Sequence, residues 1–387
     1  MHVTLVALAA SVVAYAPVTR PGVRAHALGG GGQRLAAGLA GWEAQDTAGR
    51  GLYGMGCASC HGRDGRGGER GTNVAFTVAV PDFTDCSFSS REPDADWIAV
   101  VHEGGPVRGF DSTMPSFAEA FTVEEMQAII DYVRSFCGES AWPRGELNLP
   151  RALHTEKAYP EDEAVTTMSA DVDGPGRVVN ELVYERRFGA RSQIEIGVPF
   201  GAAEAPSGGW EAGLGDIGLG VKHTVWHSLA GGTIFSLGGE VVVPTGSESA
   251  GLGTGTLVFE PYAAFGQILG SAGFVQLLAG VELPADTDKA AREAVWRGVA
   301  GWTLAQDRGF GRSWTPMVEV LGSRDLEGGA KAAWDLVPQL QVSLNTRQHV
   351  LANIGVRMPV TDADVRSTTL VVYILWDWFD GGLFSGW

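Results

Sequence analysis

The sequence predicts a multidomain chain in which a small all-α domain is followed by an antiparallel β-barrel of about twelve strands. Two changes of pattern along the 387 residues support this division. Residues 46–138 carry helical signals, whereas after residue 163 the apolar side chains recur with the period of two that is typical of β-strands. Between them, residues 139–162 contain three prolines among polar residues and are predicted to form a linker.

The amino-acid composition limits the kinds of molecule that this protein is expected to bind. The net charge is −17, which disfavours nucleic acid because a phosphate backbone requires a positive surface. Charged residues are only 19% and hydrophobic residues 45% of the chain, a balance that is unlike that of disordered proteins. We therefore expect folded domains whose partners are proteins or lipid.

The first residues resemble an export signal. Residues 1–27 are predicted to be a signal peptide, with small-x-small cleavage patterns at 14–16 and at 25–27. A short buried helix is the alternative interpretation. Residues 28–45 are glycine-rich and then alanine-rich, and they are predicted to form a flexible leader. No run of about 18 apolar residues follows, which argues against a membrane helix but not against a membrane barrel.

The motif with the clearest chemistry is Cys57-Ala58-Ser59-Cys60-His61. Cys-x-x-Cys-His is the attachment signature of c-type haem. Two thiols on one helical turn can reach the two vinyl groups of the porphyrin, and the following histidine then faces the iron. A redox dithiol or half of a zinc site is the alternative. A zinc site needs a second close thiol pair, and Cys86 and Cys137 lie too far apart in the sequence to supply one.

The second axial ligand should come from a downstream residue. Met114 precedes Pro115, which disfavours helical geometry at the methionine and favours a loop that presents its sulfur. Met126 is a rival, but it lies on the apolar stripe of a predicted helix and is expected in the core. Met55 lies in the attachment helix itself. His102 is the remaining rival.

Residues 46–138 resemble a class I monohaem cytochrome c. The resemblance lies in the attachment helix from 49 to 61, the Met114-Pro115 pair and the last helix from 123 to 136. It implies one covalent haem c and electron transfer without a substrate pocket. It assigns the haem-binding roles to Cys57, Cys60, His61 and Met114, with His61 and Met114 on the iron.

Two further cysteines are not part of the haem motif. Cys86 lies in a predicted loop and Cys137 at the end of the last helix. In an oxidising compartment two remaining thiols are expected to pair as a disulfide. The alternative is two unrelated buried thiols.

The region 163–387 is predicted to be the barrel domain. Ile194, Ile196 and Val198 alternate with Gln193 and Glu195, and similar alternation recurs to the end of the chain. The predicted strands lie near 163–172, 177–187, 190–200, 213–227, 231–244, 255–268, 272–284, 294–306, 312–323, 330–345, 348–360 and 366–378.

Alternation of this kind fits a soluble β-sandwich as well as an outer-membrane barrel. Three features favour the membrane barrel: short apolar faces, a strongly apolar last strand at 370–376, and tryptophans near strand ends, where an aromatic girdle would lie. The tryptophans concerned are Trp226, Trp296, Trp302, Trp314, Trp334, Trp376 and Trp378.

This second region also resembles small outer-membrane barrels of the MetA-like phenol-pathway transporter type. The resemblance lies in segments 194–199, 215–222 and 241–246. The order of the two parts is similar to that of the fused cytochrome–porins of iron-oxidising bacteria. The chain departs from them in its full-sized class I haem domain and its smaller barrel.

These observations predict electron transfer by a haem c that is anchored at the outer membrane. An even strand count places both ends of a bacterial barrel on the periplasmic side, where redox partner proteins would meet the haem. The alternatives are a channel or transporter with a redox haem cap, an iron-oxidising conduit and a soluble haem oxidoreductase. We expect no enzyme activity, because no convergent set of catalytic residues appears after residue 150 and His223, His227 and His349 are scattered.

Overall fold

The computed structural model describes residues 48–67, 78–205, 208–304 and 312–385. The predicted signal peptide 1–27 and leader 28–45 lie outside these residues. Among the helices that are described, none has the length and apolar character required to cross a bilayer.

The first described part is a set of short helices. Residues 48–56 form α1. They are followed by α2 (Ala58–His61), α3 (Cys86–Ser89), α4 (Asp94–Glu103), a 3₁₀ turn (Gly105–Arg108) and α5 (Val123–Ser135).

Helix α5 begins where the sequence predicts. The Thr122 hydroxyl accepts a hydrogen bond from the Glu125 amide at 3.2 Å, and the Glu125 carboxylate accepts one from the Thr122 amide at 2.8 Å. This reciprocal pair satisfies donors that the first helical turn otherwise leaves unpaired. Ile129 and Val133 on the apolar stripe are buried against Tyr53 of α1, so the stripe closes the helical domain.

The second part is a closed antiparallel barrel. Strand β1 pairs with β2 on one side and with β13 on the other, so that Val165 lies opposite both Val183 and Leu375. The strands are β1 (Glu163–Asp171), β2 (Arg177–Phe188), β3 (Ser192–Glu204), β4 (Trp210–Leu214), β5 (Ile217–Ser228), β6 (Thr233–Val243), β7 (Val258–Leu269), β8 (Gly273–Pro284), β9 (Glu293–Trp302), β10 (Trp314–Asp325), β11 (Ala333–Ser343), β12 (Val350–Pro359) and β13 (Thr369–Asp377).

The thirteen strands fill twelve positions around the ring, because β4 and β5 both pair with β3 along different parts of its length. The sequence predicts one strand here, from 213 to 227. The break lies at Asp216, whose carboxylate accepts hydrogen bonds from the amides of Gly246 at 2.8 Å and Thr254 at 2.7 Å. Asp216 therefore leaves the ladder to fix the loop between β6 and β7. The prediction of a closed barrel of about twelve strands is confirmed.

The polarity of the barrel wall is the reverse of that of a soluble protein. Polar side chains on the inner face are buried: Glu185 and Glu319 are 0% exposed and Lys222 is 3% exposed. Apolar side chains on the outer face are exposed, as in Leu219 at 46% and Leu237 at 50%. Other outer-face side chains are exposed to a comparable extent: Leu182, Ile194, Val221, Phe259, Leu277, Val318, Val320 and Ile354.

From Leu147 onward the segment 139–162 lies inside this barrel, and we call residues 147–162 the plug. Leu149 packs with Phe274, Val299 and Met317 of the inner wall, and Leu153 packs with a second group on the opposite side. A Cβ atom at Gly355 would lie 2.5 Å from a Leu153 methyl carbon, so glycine at this wall position makes room for the plug.

Polar groups of the wall bond to the plug backbone. The Gln276 amide donates to the Pro150 carbonyl at 2.8 Å, and the Tyr373 hydroxyl donates to the Arg151 carbonyl at 2.7 Å. The Arg151 guanidinium lies 2.6 Å from a Glu163 oxygen and 2.8 Å from a Glu185 oxygen. The plug thus satisfies inner polar groups that an open barrel would leave to water.

The position of residues 139–162 revises the linker prediction in one respect. The segment joins the two parts as predicted, but it is not a free tether that would let the helical domain swing. Its leucines and backbone are held by the wall, and most of its residues from 143 to 162 are buried or half-buried. Inner polar residues such as Gln276, Lys222 and Gln339 contact the plug.

The helical domain is attached directly to the barrel. Arg91 forms an ion pair with Asp162, where the plug enters β1, and its guanidinium carbon lies 3.6 Å from the centre of the Phe379 ring. The Gly145 amide donates to the Ser90 carbonyl at 2.7 Å. These contacts hold the domain over one end of the barrel, which we call the near end.

The two ends of the barrel differ in the length of their connections. Near-end connections are 189–191, 229–232, 270–272, 303–313 and 344–349, and far-end connections are 172–176, 205–209, 244–257, 285–292, 326–332 and 360–368. Three of the near-end turns are very short, and the long 244–257 loop lies at the far end. Exposed tryptophans occur toward both ends, with Trp302 and Trp314 near and Trp210 and Trp334 far.

Candidate haem-binding site

The two thiols of the Cys-x-x-Cys-His motif lie on one helical turn. The Cys57 amide donates to the Tyr53 carbonyl at 2.8 Å, which continues α1, and the His61 amide donates to the Cys57 carbonyl at 2.9 Å. Cys57 is buried and Cys60 is half-buried, and both are free thiols. This geometry presents two thiols and the histidine to one side, as the motif predicts.

Burial keeps the Cys57 thiol protonated. Desolvation, together with the nearby Cys60, raises the pKa of Cys57 to about 11. The zinc alternative needs a second thiol pair, and the other two cysteines, Cys86 and Cys137, are joined to each other.

The His61 ring is placed to act as a neutral ligand. It stacks on the Phe83 ring with centroids 4.8 Å apart. Burial lowers the pKa of His61 to about 4, so the imidazole carries no charge at neutral pH. Its Nδ1 atom is buried and has no hydrogen-bond partner among the described residues.

Met114 lies in a loop whose backbone is fixed by hydrogen bonds. Its carbonyl accepts from the Gly105 amide at 2.9 Å. The side chain packs against the buried cluster of Val101, Met126 and Ile130. Trp97 and Phe121 contact both this cluster and the one that contains Cys57. Met114 and the attachment turn therefore lie in clusters that share the side chains of Trp97 and Phe121.

The rivals of Met114 differ in their surroundings. Met126 is 0% exposed in the core of α5, as expected from its position on the stripe. Met55 is 74% exposed. The His102 Nδ1 atom lies 2.8 Å from Glu103 Oε1.

Cys86 and Cys137 are joined by a disulfide, with Cα atoms 5.2 Å apart. The bond connects the start of α3 to a residue that lies two positions beyond the end of α5. It therefore ties the loop after the attachment turn to the helix that closes the domain.

The residues present fit haem c. This group requires two thiols, an imidazole and a sulfur ligand. The chain supplies two free thiols in the attachment spacing and a neutral imidazole directly after them. It also supplies a methionine that packs against the same aromatic side chains. Residues 68–77, within the predicted cytochrome domain, lie outside the described residues.

Sequence reasoning missed the residues that join the two parts. Arg91 and Arg347 both reach across the boundary between the helical domain and the barrel. The plug was also missed, although the apolar Leu147, Leu149 and Leu153 in a proline-containing segment are a signal that a solvated linker would lack. Which wall residues they contact depends on strands far away in the sequence.

Comparison with protein families supports the haem assignment. The family described as cytochrome c oxidase, cbb3-type, subunit III matches residues 44–133. This match spans most of the helical domain, which is therefore similar to that family. No curated protein matches the chain.

Solved structures that resemble the chain are outer-membrane barrels. An outer membrane channel from Pseudomonas putida F1 is 13% identical, with 59% of this chain and 99% of that chain covered and a TM-score of 0.43. The KdgM porin in complex with disordered oligogalacturonate is 11% identical, with 55% and 98% covered and a TM-score of 0.39. The NanC porin is 9% identical, with 55% and 98% covered and a TM-score of 0.40.

Proposed function

We propose that this chain is an electron-transfer protein of the outer membrane, with one covalent haem c held at the near end of a plugged barrel. The observation that carries the proposal is the Cys57–His61 turn, with its free thiols and neutral imidazole, in a domain that is fixed to a barrel with an apolar outer face. Haem supplies reversible one-electron exchange when it is bound.

Each residue of the site has a distinct role in this proposal. Cys57 and Cys60 would hold the group through thioether bonds, and His61 and Met114 would occupy the two axial positions. Phe83 orients the His61 ring by stacking. If His61 and Met114 both bind the iron, no coordination position would remain for a substrate, and this would favour electron transfer over catalysis.

The membrane placement rests on the reversed polarity of the wall. Exposed leucine and valine side chains around the outer face would be costly in water, whereas in lipid they match the apolar band of a membrane barrel. Exposed tryptophans toward both ends fit the two interfacial girdles of such barrels.

The lengths of most connections support a periplasmic position for the haem domain, although the near-end connection 303–313 is long. Outer-membrane barrels have short periplasmic turns and longer extracellular loops. The near end, which carries the helical domain, has the turns 189–191, 229–232 and 270–272. We therefore place the haem domain in the periplasm, where soluble redox proteins would exchange electrons with it.

A channel or transporter of the MetA-like type is the second candidate, favoured by the barrel itself. The plug argues against a permanently open pore. Lys222, on the inner wall of β5, forms an ion pair with Glu156 of the plug, and the Arg297 guanidinium of β9 donates to the His154 carbonyl. Passage of solute would require these contacts to break. An iron-oxidising role, which the arrangement alone suggests, would require the haem to face outward.

The Met114→Ala variant should carry a haem whose iron can bind an added small ligand. The variant should keep covalent haem but lose the weak far-red absorption that reports sulfur on oxidised iron. Its reduced form should bind carbon monoxide, whereas the unchanged protein should not, because the sulfur occupies that position. Absorption spectra of the purified full chain measure both effects.

Met126→Leu is the matched control for this variant. It replaces one buried methionine by a residue of similar volume, which usually costs less than about 1.5 kcal/mol. It should keep the far-red absorption and exclude carbon monoxide. Loss of the absorption in Met126→Leu but not in Met114→Ala would transfer the ligand role to Met126.

Protease added to intact cells should leave the haem-staining band at full length, and lysis should expose it to cleavage. The reason is the proposed periplasmic position of the near end. The unboiled protein should also migrate differently from the boiled protein on denaturing gels, as intact membrane barrels do. Removal of the haem band in intact cells would contradict this orientation and favour the iron-oxidising conduit.

A further inference from the structure

Arg347 is a barrel residue that contacts the loop carrying Met114. It lies in the near-end connection 344–349 between β11 and β12. Its Nε donates to the Arg108 carbonyl at 3.0 Å, and its Nη2 donates to the Gly109 carbonyl at 2.7 Å. Its guanidinium carbon lies 4.5 Å from the centre of the Phe110 ring.

The same guanidinium is anchored on the barrel side. Its Nη1 donates to the Asp380 carbonyl at 2.8 Å, in the segment that follows β13. Arg347 is half-buried between these groups. A planar guanidinium with several donors can bond to three carbonyls and stack on a ring at once, and a lysine ammonium cannot reproduce that arrangement.

The contacted residues are linked to Met114 through backbone hydrogen bonds. The Phe110 amide donates to the Gly105 carbonyl at 2.9 Å, and the Gly105 amide donates to the Met114 carbonyl at 2.9 Å. Gly109 has a φ of +65°, so the chain reverses direction at the point that Arg347 holds. The loop from 104 to 114 is thus a short closed unit, and Arg347 of the barrel holds it from outside.

We propose that Arg347 is a positioning residue through which the barrel sets the placement of the Met114 sulfur. The inference rests on the proposed role of Met114 as an iron ligand. It makes the haem properties of this chain depend on the barrel as well as on the cytochrome domain. Arg347 itself touches neither Cys57, His61 nor the Met114 side chain in any described contact, so its action is indirect.

The test compares Arg347→Ala and Arg347→Lys with the unchanged full chain in detergent. Both variants should weaken the far-red absorption and increase the fraction of reduced protein that binds carbon monoxide. Loss of hydrogen bonds from a charged donor changes an equilibrium by about tenfold or more, so we expect at least that increase. If Arg347→Lys does not restore the spectra of the unchanged protein, the planar guanidinium rather than the positive charge is what positions Met114.

Two further variants make the result specific. Lys289→Ala removes an exposed cation that pairs with Glu248 at the far end, and it should leave both spectra unchanged. Phe110→Leu removes only the stacking partner and should act in the same direction as Arg347→Ala, with a smaller effect. If the Arg347 variants do not assemble into heat-modifiable barrels, Phe110→Leu is the variant that tests the proposal.

The outcomes separate the two proposals. Arg347 variants and Phe110→Leu with normal far-red absorption and no carbon monoxide binding would overturn the positioning role while leaving the Met114 assignment intact. Carbon monoxide binding by the unchanged protein would overturn the Met114 assignment and this inference with it.

Discussion

Replacing Cys57 and Cys60 together by alanine should abolish the haem-staining band on denaturing gels. Thioether bonds survive denaturation, and the thiols that would form them lie only on the attachment turn. Non-covalent haem is lost from an unfolded chain, so the expected effect is complete rather than partial. Haem staining, together with an antibody against the chain, measures haem per protein.

The other cysteine pair provides the matched control. Cys86→Ala with Cys137→Ala also removes two cysteines, but these form the disulfide and not the attachment turn. The control should keep the stained band, although loss of a native disulfide typically costs about 2–5 kcal/mol of stability. Haem staining that persists in the Cys57 and Cys60 variant would exclude covalent attachment at this motif.

Replacing Arg151 by methionine should release the plug. The Arg151 guanidinium lies between Glu163 and Glu185, which are 2% and 0% exposed. Removal of one partner from a buried ion pair typically costs about 3–5 kcal/mol; here Glu185 would lose its ion-pair partner and Glu163 would keep only Lys157. We expect a lower temperature for the loss of heat-modifiable migration, and open-channel current steps in planar bilayers where the unchanged protein shows little conductance.

Two comparisons distinguish plug release from general damage. Arg177→Met makes the same substitution on β2 at an exposed position and should change neither property. Adding Glu163→Gln and Glu185→Gln to Arg151→Met removes the carboxylate charges that lost Arg151 as their partner. The triple variant should therefore recover part of the stability that Arg151→Met loses, since the stability effects of substitutions within one buried network are not additive. Equal conductance of the Arg151→Met variant and the unchanged protein would mean that the plug does not close the barrel.

The arrangement gives the barrel a role beyond anchoring. Arg91 binds the end of the plug, and Arg347 holds the loop of the proposed methionine ligand, so the cytochrome domain is fixed at both points. A fixed domain would present one surface to the proposed redox partners. This differs from a flexible tether, in which the domain would sample many orientations.

Much of the fold follows from local patterns in the sequence. The capping box at Thr122 and the stripe through Ile129 and Val133 predict α5, and the alternation of apolar and polar residues predicts twelve strand positions. The exception is the break at Asp216, where one predicted strand becomes β4 and β5. A side-chain carboxylate that bonds to a loop about 30 residues away leaves no mark on the local alternation.

The sequence by itself determined the haem-attachment motif, the candidate ligand Met114 and the order of a helical domain before a barrel, because each depends on residues that are close together in the chain. The tertiary structure decided what the sequence left open. It pairs Cys86 with Cys137, turns the predicted linker into a plug and brings Arg347 to the Met114 loop. These contacts join residues far apart in the sequence. The disulfide forms only when α3 and α5 pack together, and the plug and Arg347 contacts form only when the closed barrel fixes which inner positions face one another.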